Sequence, residues 1–120
     1  MRDLVYVCSP LRAYENNSQA KNIAAATRYS RYVYEKGFTP ITPHIYFTQF
    51  LSDDLEKERT DAIIMNQQLL RNCRELWVFG EYISEGMRSE IALAKQWGIP
   101  ISYITVIPSL NTLPRRGYRL

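Results

Sequence analysis

Two cysteines, Cys8 and Cys73, and one histidine, His44, are the only thiols and the only imidazole of this 120-residue chain. Two thiols build no disulfide framework, and no HxH, CxxC or HExxH spacing occurs, so no metal site is expected. Both cysteines fall in apolar stretches and read as small buried hydrophobes. Cys8 also ends the first strand, which leaves a thiol close to a strand-end site as the second reading. Glycine is sparse, at five residues, and none stands in a GxGxxG or Walker pattern. Hydride transfer and P-loop hydrolysis are therefore poor fits, and no Ser-His-Asp set is present. No apolar run approaches a membrane span. The start, Met1-Arg2-Asp3-Leu4, enters a strand at once without a signal-peptide core. A soluble cytoplasmic protein without a membrane partner is the expectation. The net charge of +3 is too small to argue for nucleic acid, and no nucleic-acid partner is expected; it suits an anionic small molecule. Three of the positive charges sit in the tail, at Arg115, Arg116 and Arg119.

What is present is a regular alternation. Leu4-Val5-Tyr6-Val7-Cys8 is a strand of β-formers, ended by Ser9-Pro10. A polar loop from Leu11 leads to a helix from about Ser18 to Lys36, with an expected stripe of Ile23, Ala26, Ser30, Val33 and Tyr34 and a cap at Gly37. Phe38 to Thr42 is a short strand, placed at an edge by Pro40. After Pro43 and His44 comes an aromatic stretch to Leu51. Ser52-Asp53-Asp54-Leu55-Glu56 reads as a helix start rich in acid. That helix reaches about Asn72, with a possible break, and carries Ile63, Asn66, Leu70 and Cys73 on one face. Glu75 to Phe79 is a strand whose run Leu76 to Phe79 is wholly apolar, as expected of a parallel strand covered on both sides. A helix from Ser84 to Trp97 and a strand from Ile101 to Val106 follow. The order β-α-β-α-β-α-β implies right-handed crossovers and a parallel sheet. The expected fold class is α/β: a three-layer α/β/α, flavodoxin- or Rossmann-like arrangement with a mostly parallel sheet of four to five strands. Residues 1–107 form one domain, and 108–120 a tail.

The stretch Leu76 to Ala94 organises the rest. Ser84 is a good N-cap, Gly86 lets backbone approach a ligand, and Glu90 shares a helix stripe with Met87, Ala94 and Trp97. A carboxylate on an apolar stripe just past the carboxyl end of a strand sits where open α/β sheets bind ligands. The same edge gathers Tyr6, Ser9, Arg12 and His44, and Asn66 points inward from the preceding helix. The helix amino end is expected to keep Glu90 ionised. An ionised carboxylate beside the Tyr6 phenol can attack or stabilise an electron-poor sugar carbon. The amides of Glu85 to Met87 and the Ser84 hydroxyl can hold a phosphate. The plainer alternative for Glu90 is a surface residue of an amphipathic helix.

These residues carry a resemblance. Val5-Tyr6-Val7-Cys8-Ser9-Pro10, Asn22-Ile23, Gly37-Phe38-Thr39-Pro40 with Pro43-His44, and Leu76-Trp77-Val78-Phe79-Gly80 leading to Ser84-Glu85-Gly86-Met87-Arg88-Ser89-Glu90 resemble the nucleoside 2-deoxyribosyltransferase superfamily. That superfamily includes a 2-deoxynucleoside 5′-monophosphate N-glycosidase branch, and the chain looks closest to small bacterial and phage members. The resemblance spans about residues 4 to 104. It implies that Glu90 is the nucleophile that takes deoxyribose at C1 while the base leaves, with Tyr6 adjoining it. Ser84 matches a position that is aspartate in the transferases and serine in the monophosphate-specific branch, where it contacts the 5′-phosphate. Ser9 and Arg12 are then further phosphate contacts, and His44, Asn66, Gly86 and Met87 complete the substrate-binding set. The implied substrate is a small-molecule nucleoside or nucleotide, no cofactor is needed, and a homo-oligomer is expected.

Asn66 is a departure. It falls where the family carries an aspartate that helps to protonate the leaving base, and asparagine cannot be a general acid. Either another group assists, with Asp61 and His44 as candidates, or the site binds without turnover. Asp61 also reads as a solvated helix residue, and Arg59 as either a phosphate contact or half of a surface ion pair. Two functions follow: an N-glycosidase or deoxyribosyltransferase acting through Glu90, or a nucleotide-binding module of the same fold. A scaffold role rests only on nine tyrosines and the tail with Asn111.

Overall fold

The computed structural model describes residues 2–105. Four strands, β1 (Leu4–Cys8), β2 (Thr39–Ile41), β3 (Glu75–Phe79) and β4 (Ile101–Ile104), form one sheet in the order β2-β1-β3-β4. Every pairing is parallel. The helices are α1 (Gln19–Glu35), α2 (Pro43–Tyr46), α3 (Glu56–Arg71) and α4 (Glu85–Gln96), with one 3-10 turn at Phe47–Gln49. The tail, with Asn111, Arg115, Arg116 and Arg119, lies outside the described residues, as does Val106.

The two central strands explain the layers. β1 and β3 are buried along their length after the first residue, because helices cover both faces. Alternation then sorts their side chains. Val5, Val7, Trp77 and Phe79 pack with Val33 of α1, and Tyr29 and Tyr32 close over them. Tyr6, Cys8, Leu76 and Val78 pack on the other face with Leu70 of α3 and with Met87, Ile91 and Ala94 of α4. Each fully buried aliphatic side chain here is worth about 1.5–3 kcal/mol. Pro40 sits in the edge strand β2, where a missing N–H is tolerated.

Several expectations are corrected. The buried stripe of α1 is Asn22, Ala26 and Val33, with Tyr29 half-buried beside them, whereas Tyr34 is exposed. The aromatic pair Trp77 and Phe79 selects this face: Tyr29 stacks on Phe79 at 4.5 Å and Tyr32 meets Trp77 edge-on. α3 begins at Glu56 rather than Ser52 and runs without a break. The Ser52-Asp53-Asp54 segment is a turn whose Ser52 amide donates to Glu58 Oε1 at 2.7 Å. Ile63 is exposed, unlike Leu70. β4 stops at Ile104.

The strand order reverses direction between β1 and β3. Chain leaving β1 goes through α1 to one side, and chain leaving β3 goes through α4 to the other, so a crevice opens at their carboxyl ends. Gly80, at φ +85°, takes the left-handed turn that ends β3 at this crevice.

Candidate active site at the carboxyl edge of the sheet

A cavity of ≈ 360 Å³ lies in this crevice. Its walls come from the loop after β1 (Ser9, Leu11, Arg12, Ala13), from α2 (His44), from α3 (Arg59, Ala62, Ile63, Asn66, Gln67) and from the start of α4 (Ser84 to Met87). Glu90 lines it too. Eight of the nine residues singled out in the sequence, Ser9, Arg12, His44, Asn66, Ser84, Gly86, Met87 and Glu90, border this one cavity. The ninth, Tyr6, lies directly beneath, bonded to Glu90.

The α4 geometry fixes Glu90. Ser84 caps the helix: its side-chain oxygen accepts from the Met87 amide at 3.2 Å, and its own amide meets Met87 Sδ at 3.4 Å. Met87 and Ala94 anchor the helix to the sheet, fully buried. Residue 90 falls between them on the same stripe, so its side chain passes over β1. There Tyr6 Oη donates to Glu90 Oε2 at 2.6 Å, and Cys8 Sγ lies 3.4 Å from Oε1. Each carboxylate oxygen therefore has its own donor from the same face of one strand. The phenol bond is short, as charge-assisted O–H···O⁻ bonds are, and the thiol is the weaker donor.

Burial decides the charge. Glu90 is enclosed by protein while part of its surface stays open to the cavity, and this burial raises its carboxyl from 4.5 to about 7. The bonds from Tyr6 and Cys8 act the other way and recover only part of the cost. The expectation that the helix amino end keeps Glu90 ionised is corrected here: loss of water outweighs a dipole that fades within the first turn. At neutral pH Glu90 is poised near half ionisation. Burial, reinforced by the Glu90 charge, holds the Tyr6 phenol and the Cys8 thiol well above their usual values, so both remain protonated donors.

The rim is polar. Arg12 Nε pairs with Asp53 Oδ2 at 3.0 Å, and Arg59 Nε lies 3.9 Å from Asp53 Oδ1. Two guanidinium groups thus share one carboxylate at the lip. The loop bearing Arg12 is tied down by Asn22, whose amide donates to Leu11 O at 3.1 Å and Arg12 O at 3.0 Å. Tyr14 stacks on Tyr82 at 3.8 Å, joining the loops after β1 and β3 across the mouth. His44 lies 2.7 Å through Nε2 from Ser9 O. A carbonyl only accepts, so Nε2 carries the proton. Burial lowers the ring's basicity, so His44 is neutral at pH 7 and Nδ1 is left unprotonated. Asp61 pairs with Lys57 at 2.7 Å on the outside of α3, and does not border the cavity. Ser9 Oγ and Asn66 Oδ1 are buried at the cavity without a protein partner.

Two residues were underread in the sequence. Cys8 was placed chiefly as a core hydrophobe, although strand alternation puts residues 6 and 8 on one face, so whatever Tyr6 meets, Cys8 meets also. Asp53 was read as a helix-start acid and is instead the counter-ion of Arg12 and Arg59; nothing in the local sequence signals that pairing. The Met87 amide, expected to hold phosphate, is committed to Ser84. Glu85 and Gly86 retain the free amides of a helix start. Among the described residues no group of three or more His, Cys, Asp or Glu side chains is arranged to hold a metal ion. No described helix is long and apolar enough to cross a membrane.

The fold has a solved counterpart. A 2-deoxyribosyltransferase from the psychrotolerant bacterium Bacillus psychrosaccharolyticus superposes with a TM-score of 0.63 over 90% of this chain and 78% of that one, at 17% identity. At that identity the likeness establishes a shared fold. No curated protein matches the chain. A family model covers nearly the whole domain, residues 3–104, and the chain belongs to that family, described as Domain of unknown function (DUF7768).

Proposed function

We propose that the protein cleaves or transfers the N-glycosidic bond of a 2-deoxynucleoside or its 5′-monophosphate through a glycosyl intermediate on Glu90. The observation that carries this reading is the Glu90 carboxyl itself. It is bonded by Tyr6 at one oxygen and by Cys8 at the other, and it lines a cavity of ≈ 360 Å³. A carboxylate whose anion is destabilised by burial gains by forming a neutral ester with C1′. Tyr6 holds Oε2 tightly, so Oε1, met only by a thiol, is the oxygen free to attack. The fold shared with a 2-deoxyribosyltransferase supports a nucleoside as the ligand. Arg12, Arg59, the Ser84 hydroxyl proton and the Glu85 and Gly86 amides supply the contacts for a 5′-phosphate. The protein works in this reading as a homo-oligomer in the cytoplasm.

The second reading is a module of the same fold that binds a nucleotide without turning it over, and Asn66 favours it. A panel of deoxynucleosides and their 5′-monophosphates decides between them. The first reading expects release of free base by the wild-type protein and none by a folded Glu90→Ala variant. A ligand that raises the melting temperature with no base released supports the second. Activity unchanged in Glu90→Ala overturns the Glu90 mechanism.

A further inference from the structure

Breaking an N-glycosidic bond sends its electron pair to the ring nitrogen. A neutral base then leaves as an anion unless a proton reaches it, so a site for neutral bases needs an acid. The groups lining the cavity supply none among the described residues. Asn66 is an amide. His44 holds its single ring proton on Ser9 O at 2.7 Å. Asp53 is engaged in ion pairs with Arg12 and Arg59. Guanidinium groups do not give up protons. Glu85 is exposed to solvent in the first turn of α4. Glu90 must be ionised to attack, and Tyr6 is committed to it. The remaining donors, serine hydroxyls and the Tyr82 phenol, are weak acids.

A second observation points the same way. Asn66 Oδ1 is buried at the cavity wall with no partner, and so is Ser9 Oγ, which is 2% exposed as a residue. An unmet carbonyl oxygen seeks a donor or a positive ring edge. Tyr82, 43% exposed at the mouth, adds an aromatic surface of the kind that attracts a flat cation.

We infer that the group expelled at this site is a heterocycle bearing a fixed positive charge, such as an N7-alkylated purine or a pyridinium carboxamide, which departs as a neutral molecule without taking up a proton. The inference rests on the glycosidic reading and narrows its substrate class. In the first step a Glu90 oxygen bonds to C1′, the C1′–N bond breaks, and its electron pair neutralises the ring cation. In the second, water attacks C1′, the ester C1′–O bond breaks, and the pair returns to Glu90 as carboxylate. The water's proton goes to solvent. The sum is cationic glycoside plus water giving sugar, neutral heterocycle and one proton. With the pyridinium probe, whose ring nitrogen carries no proton to lose, departure needs no acid, so the pH profile has a rising limb set by Glu90 and no falling one.

The test uses the full chain and a matched pair of probes, 7-methyl-2′-deoxyguanosine 5′-monophosphate and 2′-deoxyguanosine 5′-monophosphate, with nicotinamide mononucleotide as a pyridinium probe. Each rate is divided by the rate with Glu90→Gln, which also removes spontaneous loss. General acid catalysis is typically worth at least about 10²-fold, so a cationic probe should be accelerated over neutral deoxyguanylate by about that factor. Asn66→Asp should raise the neutral rate relative to the cationic one. If that variant fails to fold, the wild-type comparison decides alone. Neutral deoxyguanylate cleaved with an acceleration equal to or above that of both cations overturns this inference and leaves the glycosidic reading standing. No cleavage of these probes or of the deoxynucleoside panel overturns both.

Discussion

Replacing Glu90 with glutamine should make the protein more stable, and only above a defined pH. Glutamine keeps the shape, accepts from Tyr6 Oη through its carbonyl oxygen, and cannot ionise. In the wild type, burial raises the carboxyl from 4.5 to about 7. At about 1.4 kcal/mol for each tenfold change, the anion costs the folded state about 3 kcal/mol. The sign follows from proton counting. Below 4.5 the carboxyl is protonated in both folded and unfolded chains, and no cost arises. As pH rises from 4.5 towards 7 the unfolded chain ionises first, binds fewer protons than the folded one, and stability falls. Above about 7 the loss is complete. The difference between Glu90→Gln and wild type, measured by urea denaturation of ligand-free protein, should therefore be small near pH 4.5. It should grow to about 3 kcal/mol in favour of glutamine by about pH 8.5. With a slope of about 1.5 kcal/mol per molar urea, the midpoints separate by about 2 M. Taking the difference cancels every other titrating group. A gap that does not change with pH, or a glutamine variant that weakens as pH rises, would refute a buried carboxyl held near neutrality.

Two further outcomes follow from the same geometry. Tyr6→Phe removes the 2.6 Å bond that holds the Glu90 anion, so the rising limb of the base-release pH profile should move up by about 1–2 pH units; an unmoved limb would show that Tyr6 does not act through Glu90. Gly86→Ala adds a Cβ that meets nothing within 4 Å, so the melting temperature should hold or rise, while KM increases because the methyl group occupies the approach to the helix start. A fall in stability with unchanged KM would contradict that placement.

How far the sequence carried the account depended on which force ruled each position. β1 and β3 were legible because both are wholly apolar after their first residue, and only a strand covered on two faces reads that way. The start of α4 was legible because Ser84 is a strong N-cap with a buried residue three positions on. The face of α1 was not. Tyr29, Tyr32 and Tyr34 point in different directions around one helix, and only Trp77 and Phe79 on the opposing sheet select Tyr29 and Tyr32. The start of α3 was misplaced because Asp53 and Asp54 look like helix-start acids, whereas Asp53 serves two arginines distant in the chain. At the site, the stripe of Met87, Glu90 and Ala94 was visible from spacing, and the pairing of Glu90 with Tyr6 from the sheet topology and the family resemblance together. The charge state of Glu90 was out of reach, since helix position is written in the sequence and depth is not. Cys8 fills both of its readings: a buried hydrophobe, it is also the second donor to the carboxylate.

The central claim is that Glu90 forms a bond to the sugar, and an adduct on that residue tests it most directly. The protein would be incubated with a 7-methylguanosine 5′-monophosphate analogue bearing fluorine at C2′: the fluorine slows both oxocarbenium-like steps, and the cationic leaving group keeps capture of the sugar faster than its release. Intact-mass and peptide mass spectrometry then read the product. The account predicts a gain of one sugar phosphate per chain, placed on the peptide at Glu90, absent from Glu90→Gln and accompanied by one equivalent of free base. Base released in stoichiometric amounts with no mass gain, or with the adduct on another residue, would contradict it.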